Sequence, residues 1–180
     1  MWALGYPDAA RSDAEQALRE AREIGHAATL MFALALTSMT RTLIGDYAAV
    51  NAQLDEVIAL ANKKGGLLWK AFGIVFQGDV LALTGKASDA IQMIASGISA
   101  VRSTGSTLWI PLHLSYLTRA YAQTNIEEAR CSIDEALTLI EMTEDRWCEA
   151  EVTRVAGEIA LQSRTPPMAL YCACPDARFT

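Results

Sequence analysis

Glycine recurs in this chain at a fixed interval. Gly5, Gly45 and Gly85 stand 40 residues apart, and so do Gly25, Gly65 and Gly105. Asn125, a residue that also tolerates left-handed backbone, takes the next place in the first series, and Asp145 the next place in the second. Trp69 and Trp109 keep the same spacing, whereas Trp147 follows after 38 residues, so the last unit is one or two residues short. A chain of 180 residues with this period is built from about four copies of one supersecondary unit, each of which buries its apolar face against the next.

Each unit reads as helix, punctuation, helix, punctuation. The segments DYAAVNAQLDEVIALANKK, KASDAIQMIASGISAVRST and IEEARCSIDEALTLIEMT carry apolar residues at helical spacing, as at Val50, Leu54, Val57, Ile58 and Ala61. The alternating segments ATLMFALALTSMTRTLI, LLWKAFGIVFQGDVLALT and LWIPLHLSYLTRAYAQT are apolar on most sides, which predicts helices sandwiched between neighbours.

Small residues recur inside these helices. Ser38, Gly78 and Thr118 keep the interval of 40 and Gly157 follows after 39, while Ala17, Val57, Gly97 and Ala136 form a second row on the partner helices. A mid-helix glycine costs about 1 kcal/mol against alanine, a cost that close crossing of two backbones would explain.

A small residue, a glycine seven later and a small or β-branched residue five later (Gly78, Gly85, Ala90; Ser38, Gly45, Val50) resemble the tetratricopeptide repeat (TPR), whose usual unit is 34 residues. The longer unit, with endings such as LREAREIG and the closing DRWCEAEVTRVAGEIAL, is similar to the TPR-like C-terminal tails of large bacterial signalling proteins that carry cyclase, AAA-type or STAND-type ATPase domains. The resemblance implies an all-α fold, a right-handed α-α solenoid of about four helical hairpins over residues 1–163. It also implies a concave face lined by Phe32, Met39 and Thr42, then Phe72 and Asp79, then Leu112, Ser115 and Arg119, with Arg154 from the shortened unit. Residues 164–180 lie off the pattern: Pro166 and Pro167 stop the helix, and no repeat glycine follows. The incomplete first unit and this tail point to a fragment of a longer protein, or to an altered reading frame at the C-terminus.

Composition narrows the function. The formal charge is −6 and no more than two basic residues are adjacent, which argues against a nucleic-acid surface. The apolar run AATLMFALALTSM at 27–39 falls short of the roughly 18 to 20 residues of a membrane span, and MWALGYPDAARSD is not a secretory signal, so a cytoplasmic location is expected. In a reducing compartment Cys131, Cys148, Cys172 and Cys174 stay as thiols, and the pair Cys172 and Cys174 has no third ligand nearby to hold a metal.

The chain lacks the phosphate loop GxxxxGK[ST], the GxSxG elbow and HExxH, and His26 and His113 read as structural histidines. Acidic pairs such as Glu127 with Glu128, or Glu149 with Glu151, sit at helix starts, where the helix dipole favours carboxylates. The expectation is therefore a non-catalytic protein–protein interaction scaffold without a cofactor, binding a protein or peptide. The alternative is a regulatory module sensing a small molecule in the groove. Uncapped ends predict a homodimer, joined through an end or by exchange of the C-terminal segment.

Overall fold

A computed structural model describes residues 4–162, so Cys172, Cys174 and the tail at 164–180 lie outside the described residues. The described residues form eight α-helices and no strands: α1 (Pro7–Ile24), α2 (Ala27–Ile44), α3 (Tyr47–Lys64), α4 (Leu67–Leu83), α5 (Ala87–Ser103), α6 (Ile110–Tyr121), α7 (Ile126–Thr143) and α8 (Glu149–Gln162). The all-α expectation holds. The chain divides into two compact units, Met1–Thr107 and Leu108–Thr180.

From Gly25 to Gly105 the repeat glycines follow helix ends as their spacing predicts. All six, from Gly5 to Gly105, have positive φ. At Gly45, with φ 85°, the N–H turns back to the Thr42 carbonyl at 3.0 Å, satisfying one of the carbonyls that a helix end leaves over. Two predicted equivalents behave differently. Asn125 is extended (φ −148°) and caps the start of α7, its side chain accepting from the N–H groups of Glu127 and Glu128. The left-handed residue after α7 is Glu144 (φ 56°), not Asp145, as the shortened last unit requires. Asp46 caps α3 by accepting from Ala49 N–H, and His26 caps α2 by accepting from Thr29 N–H through Nδ1. Pro7 and Pro111 stand in first turns, where their missing N–H is not needed.

In the first unit consecutive helices pack pairwise from α1 to α5, and α2 also packs on α4. Leu18, Leu34 and Val57 form a buried nucleus, with Leu30, Ala33 and Trp69 against it. The small residues mark close crossings. A Cβ built on Gly78 of α4 would stand 2.5 Å from Ile94 Cγ1, and one on Gly97 of α5 would stand 2.5 Å from Val75 Cγ2. Gly73 is similarly pressed, 2.7 Å from Ile58 Cγ1. Backbones approach this closely only because no side chain intervenes.

In the second unit α6 packs on α7, α7 on α8 and α6 on α8. α6 begins two residues later than its apolar run, after the turn at Trp109, whose ring meets Trp147 edge-on at 4.6 Å. The Trp147 indole N–H donates to the Leu108 carbonyl at 3.2 Å, tying the α7–α8 loop to the start of α6. Gly157 departs from the crossing pattern: a Cβ there would meet nothing within 4 Å.

α2 is an 18-residue helix long and apolar enough by length and composition to cross a membrane, because the helix runs past the apolar stretch to Ile44. It packs against α1, α3 and α4, which accounts for its apolar sides.

Candidate functional site

The residues expected to line a groove separate by burial. In the first unit Phe72 is 1% exposed and Asp79 is buried, Met39 and Thr42 are half-buried, and Phe32 is 50% exposed. Phe72 belongs to the core because α4 is covered on several sides. Its ring is the middle of an aromatic row, Phe32 to Trp69 at 5.7 Å, Trp69 to Phe72 at 5.6 Å and Phe72 to Phe76 at 6.1 Å. The first two contacts are edge-to-face, the arrangement that ring quadrupoles favour. The row therefore runs from a half-exposed Phe32 inward, and only its outer end is available to a partner.

In the second unit Leu112 and Ser115 are buried, and the Ser115 hydroxyl is spent on the Leu112 carbonyl at 2.7 Å. These two, like Phe72, are buried in the described structure. Arg119 on α6 and Arg154 on α8 are brought together, through a residue whose part was not foreseen. Glu151 takes both oxygens to Arg154, at 2.7 Å from Nε and 2.8 Å from Nη2, and one oxygen lies 3.4 Å from Arg119 Nη1. Arg154 also pairs with Glu158. Arg119 lies over the Tyr116 ring, 4.9 Å from its centroid, a cation–π contact. Hydrogen bonds from Arg154 hold the Glu151 carboxyl below its ordinary pKa, against the opposing effect of burial. The spacing of Glu151, Arg154 and Glu158 at three and four residues was the visible signal for this network.

Other titratable groups are held away from chemistry. His113 is 0% exposed, and burial lowers its pKa to about 3, so the ring is neutral at pH 7. It stacks on Trp109 at 6.5 Å and leans on Tyr116 at 6.3 Å. Burial, helped by Asp145, raises the Cys148 thiol to about 11, which leaves it protonated and unreactive. Among the described residues no three His, Cys, Asp or Glu side chains are placed to hold a metal ion.

A shallow cavity of about 160 Å³ opens between α6 and α7, lined by Leu114, Leu117, Tyr121, Glu128, Cys131, Ser132 and Glu135. Pockets for small organic ligands span roughly 300 to 1,000 Å³. This one is smaller, and neither Arg119 nor Arg154 lines it. The Tyr121 hydroxyl on its rim is pushed above its ordinary pKa by burial and then by Glu128.

No protein-family model matches the chain, and no curated protein is similar to it.

Proposed function

We propose that the chain is a TPR-like repeat module of about four hairpins, wound as a right-handed superhelix. In this reading it acts as a non-catalytic interaction scaffold within a larger bacterial signalling protein in the cytoplasm. The observation that carries this reading is the packing of alternate helices. α2 lies on α4 and α6 lies on α8, as the first helices of successive hairpins do in a solenoid. The 40-residue interval of left-handed glycines supports the same register. In the first unit Phe32 and Met39 keep some exposure and offer an aromatic end and a soft side chain to a peptide, and in the second unit, taken by itself, Arg119 and Arg154 keep some exposure around Glu151.

Selection from a displayed random-peptide library on the immobilised chain tests this. Selected peptides should lose at least tenfold in affinity to the Phe32→Ala or Arg154→Ala protein, with helicity unchanged by circular dichroism. Failure to enrich any sequence, or binding indifferent to both substitutions, would overturn the reading.

A further inference from the structure

We propose that the cavity between α6 and α7 receives a lysine side chain of a partner protein, its carbon stem over Leu114 and Leu117 and its ammonium at Glu128 and the Tyr121 hydroxyl. The proposal rests on the scaffold reading above for there being a protein partner, but not on Phe32 or Arg154.

Two helix faces make the cavity. Leu114, Leu117 and Tyr121 stand at i, i+3 and i+7 along α6, and Glu128, Cys131, Ser132 and Glu135 at i, i+3, i+4 and i+7 along α7. Leu114 and Leu117 are buried, Tyr121 is half-buried and Glu128 is exposed, so the lining grades from an apolar floor to a polar rim. α6 and α7 have described helices before and after them in the chain, so the opening does not arise at an end of it.

The charge of the lining selects a cation. It holds carboxylates and no Lys, Arg or His. Arg130, the one basic residue of α7, pairs with Glu127 and lies by Asp134, whereas Glu128 makes no ion pair among the described residues. The Tyr121 hydroxyl keeps its proton to higher pH than usual through burial and then through Glu128, so the field of that carboxylate reaches the cavity. A helix start would otherwise draw an anion, but Asn125 already accepts from the N–H groups of Glu127 and Glu128. The Ser132 hydroxyl is likewise spent on the Leu114 carbonyl at 3.3 Å.

Size narrows the cation. At about 30 Å³ for each water-sized group, a cavity of about 160 Å³ holds about five of them. That is the room a lysine needs for its four-carbon stem and its ammonium. An arginine side chain is larger, and its planar fork calls for paired acceptors. A neutral apolar side chain would take Glu128 from water with nothing to pair it. The cavity is shallow, so a free amine would stay largely in water, whereas a lysine is held in place by the rest of its chain. The formal charge of −6 on the whole chain draws a basic partner toward it.

Amide shifts in NMR spectra of the full chain, titrated with Nα-acetyl-lysine methylamide, test this. The Leu117, Cys131 and Ser132 signals should move and saturate in the millimolar range, and the matching norleucine and arginine compounds should bind at least threefold more weakly. Glu128→Gln should weaken the lysine compound at least threefold, and Glu128→Lys, which sets an ammonium at the rim from within the chain, should abolish its binding. Should either variant lose helicity, the wild-type series of three compounds still decides. Absence of saturable shifts at these amides overturns the proposal. Equal binding of norleucine overturns it too, by making the site merely apolar, as does equal binding of arginine, by making the attraction that of any acidic surface. n-Butylammonium binding more tightly than the lysine compound would make the occupant a free amine and overturn the partner. Peptide selection reads Phe32 and Arg154 rather than these amides, so loss of one result leaves the other standing.

Discussion

Gly78 of α4 sits against Ile94 of α5 so closely that a Cβ added to it would lie 3.1 Å from the Ile94 backbone nitrogen as well as 2.5 Å from its Cγ1. The Ile94 side chain is β-branched and fully buried, so it has little freedom to move aside.

Gly78→Ala should therefore destabilise the chain. Alanine gains about 1 kcal/mol in helix propensity, but over-packing a core costs about 1 to 3 kcal/mol, so the net loss should be about 1 kcal/mol. Gly157→Ala, with nothing within 4 Å of the new methyl, should stabilise by about 0.5 to 1 kcal/mol. Urea denaturation at low protein concentration reads both, and equal signs at the two sites would refute the account of the crossing.

Helix endings provide a second contrast. Gly45 has φ 85°, where a side chain is strained by about 1 to 2 kcal/mol, so Gly45→Ala should lose about that much. Glu144 carries such strain already at φ 56°, and Glu144→Gly should gain about 0.5 to 1 kcal/mol in thermal or urea unfolding.

His113 makes stability fall in mild acid. Its pKa is about 3 in the folded chain against 6.5 for an ordinary histidine, so between those limits the unfolded chain binds the proton and the folded chain does not. Unfolding free energy should then drop by up to about 1.4 kcal/mol per pH unit as pH decreases from 6.5. His113→Gln should flatten that slope between pH 6 and 5, where few carboxylates titrate. An unchanged slope in chemical denaturation would remove His113 as the cause.

Glu151 acts lower on the pH scale. Its folded pKa is depressed, so its contribution is present above the ordinary value of 4.5 and is lost as pH falls through the depressed one. The partners are partly exposed, so Glu151→Gln should cost no more than about 0.2 to 1 kcal/mol at neutral pH. The loss should shrink in high salt, and a carboxyl titration followed by NMR should place Glu151 below the ordinary glutamate value of 4.5.

What the sequence determined by itself is local and periodic. Left-handed glycines at 45 and 85, apolar residues at helical spacing around Val50 and Leu54, and glycines at 78 and 97 each state a backbone requirement that holds whatever surrounds them. Helices, their ends and the α4–α5 crossing were legible for that reason. Tertiary structure decided the rest, because burial and pairing depend on which neighbour covers a residue. Phe32 and Phe72 share one repeat position, yet one is half exposed and the other enclosed. Asn125 caps a helix rather than ending one, since the turn after Tyr121 supplies the reversal through its own carbonyl bonds. Arg119 and Arg154 are separate cations in the sequence, and they form one network only because α6 and α8 bring Glu151 between them. Gly157 has the same residue type as Gly78 but no crossing helix among the described residues, a difference set entirely by what packs against it.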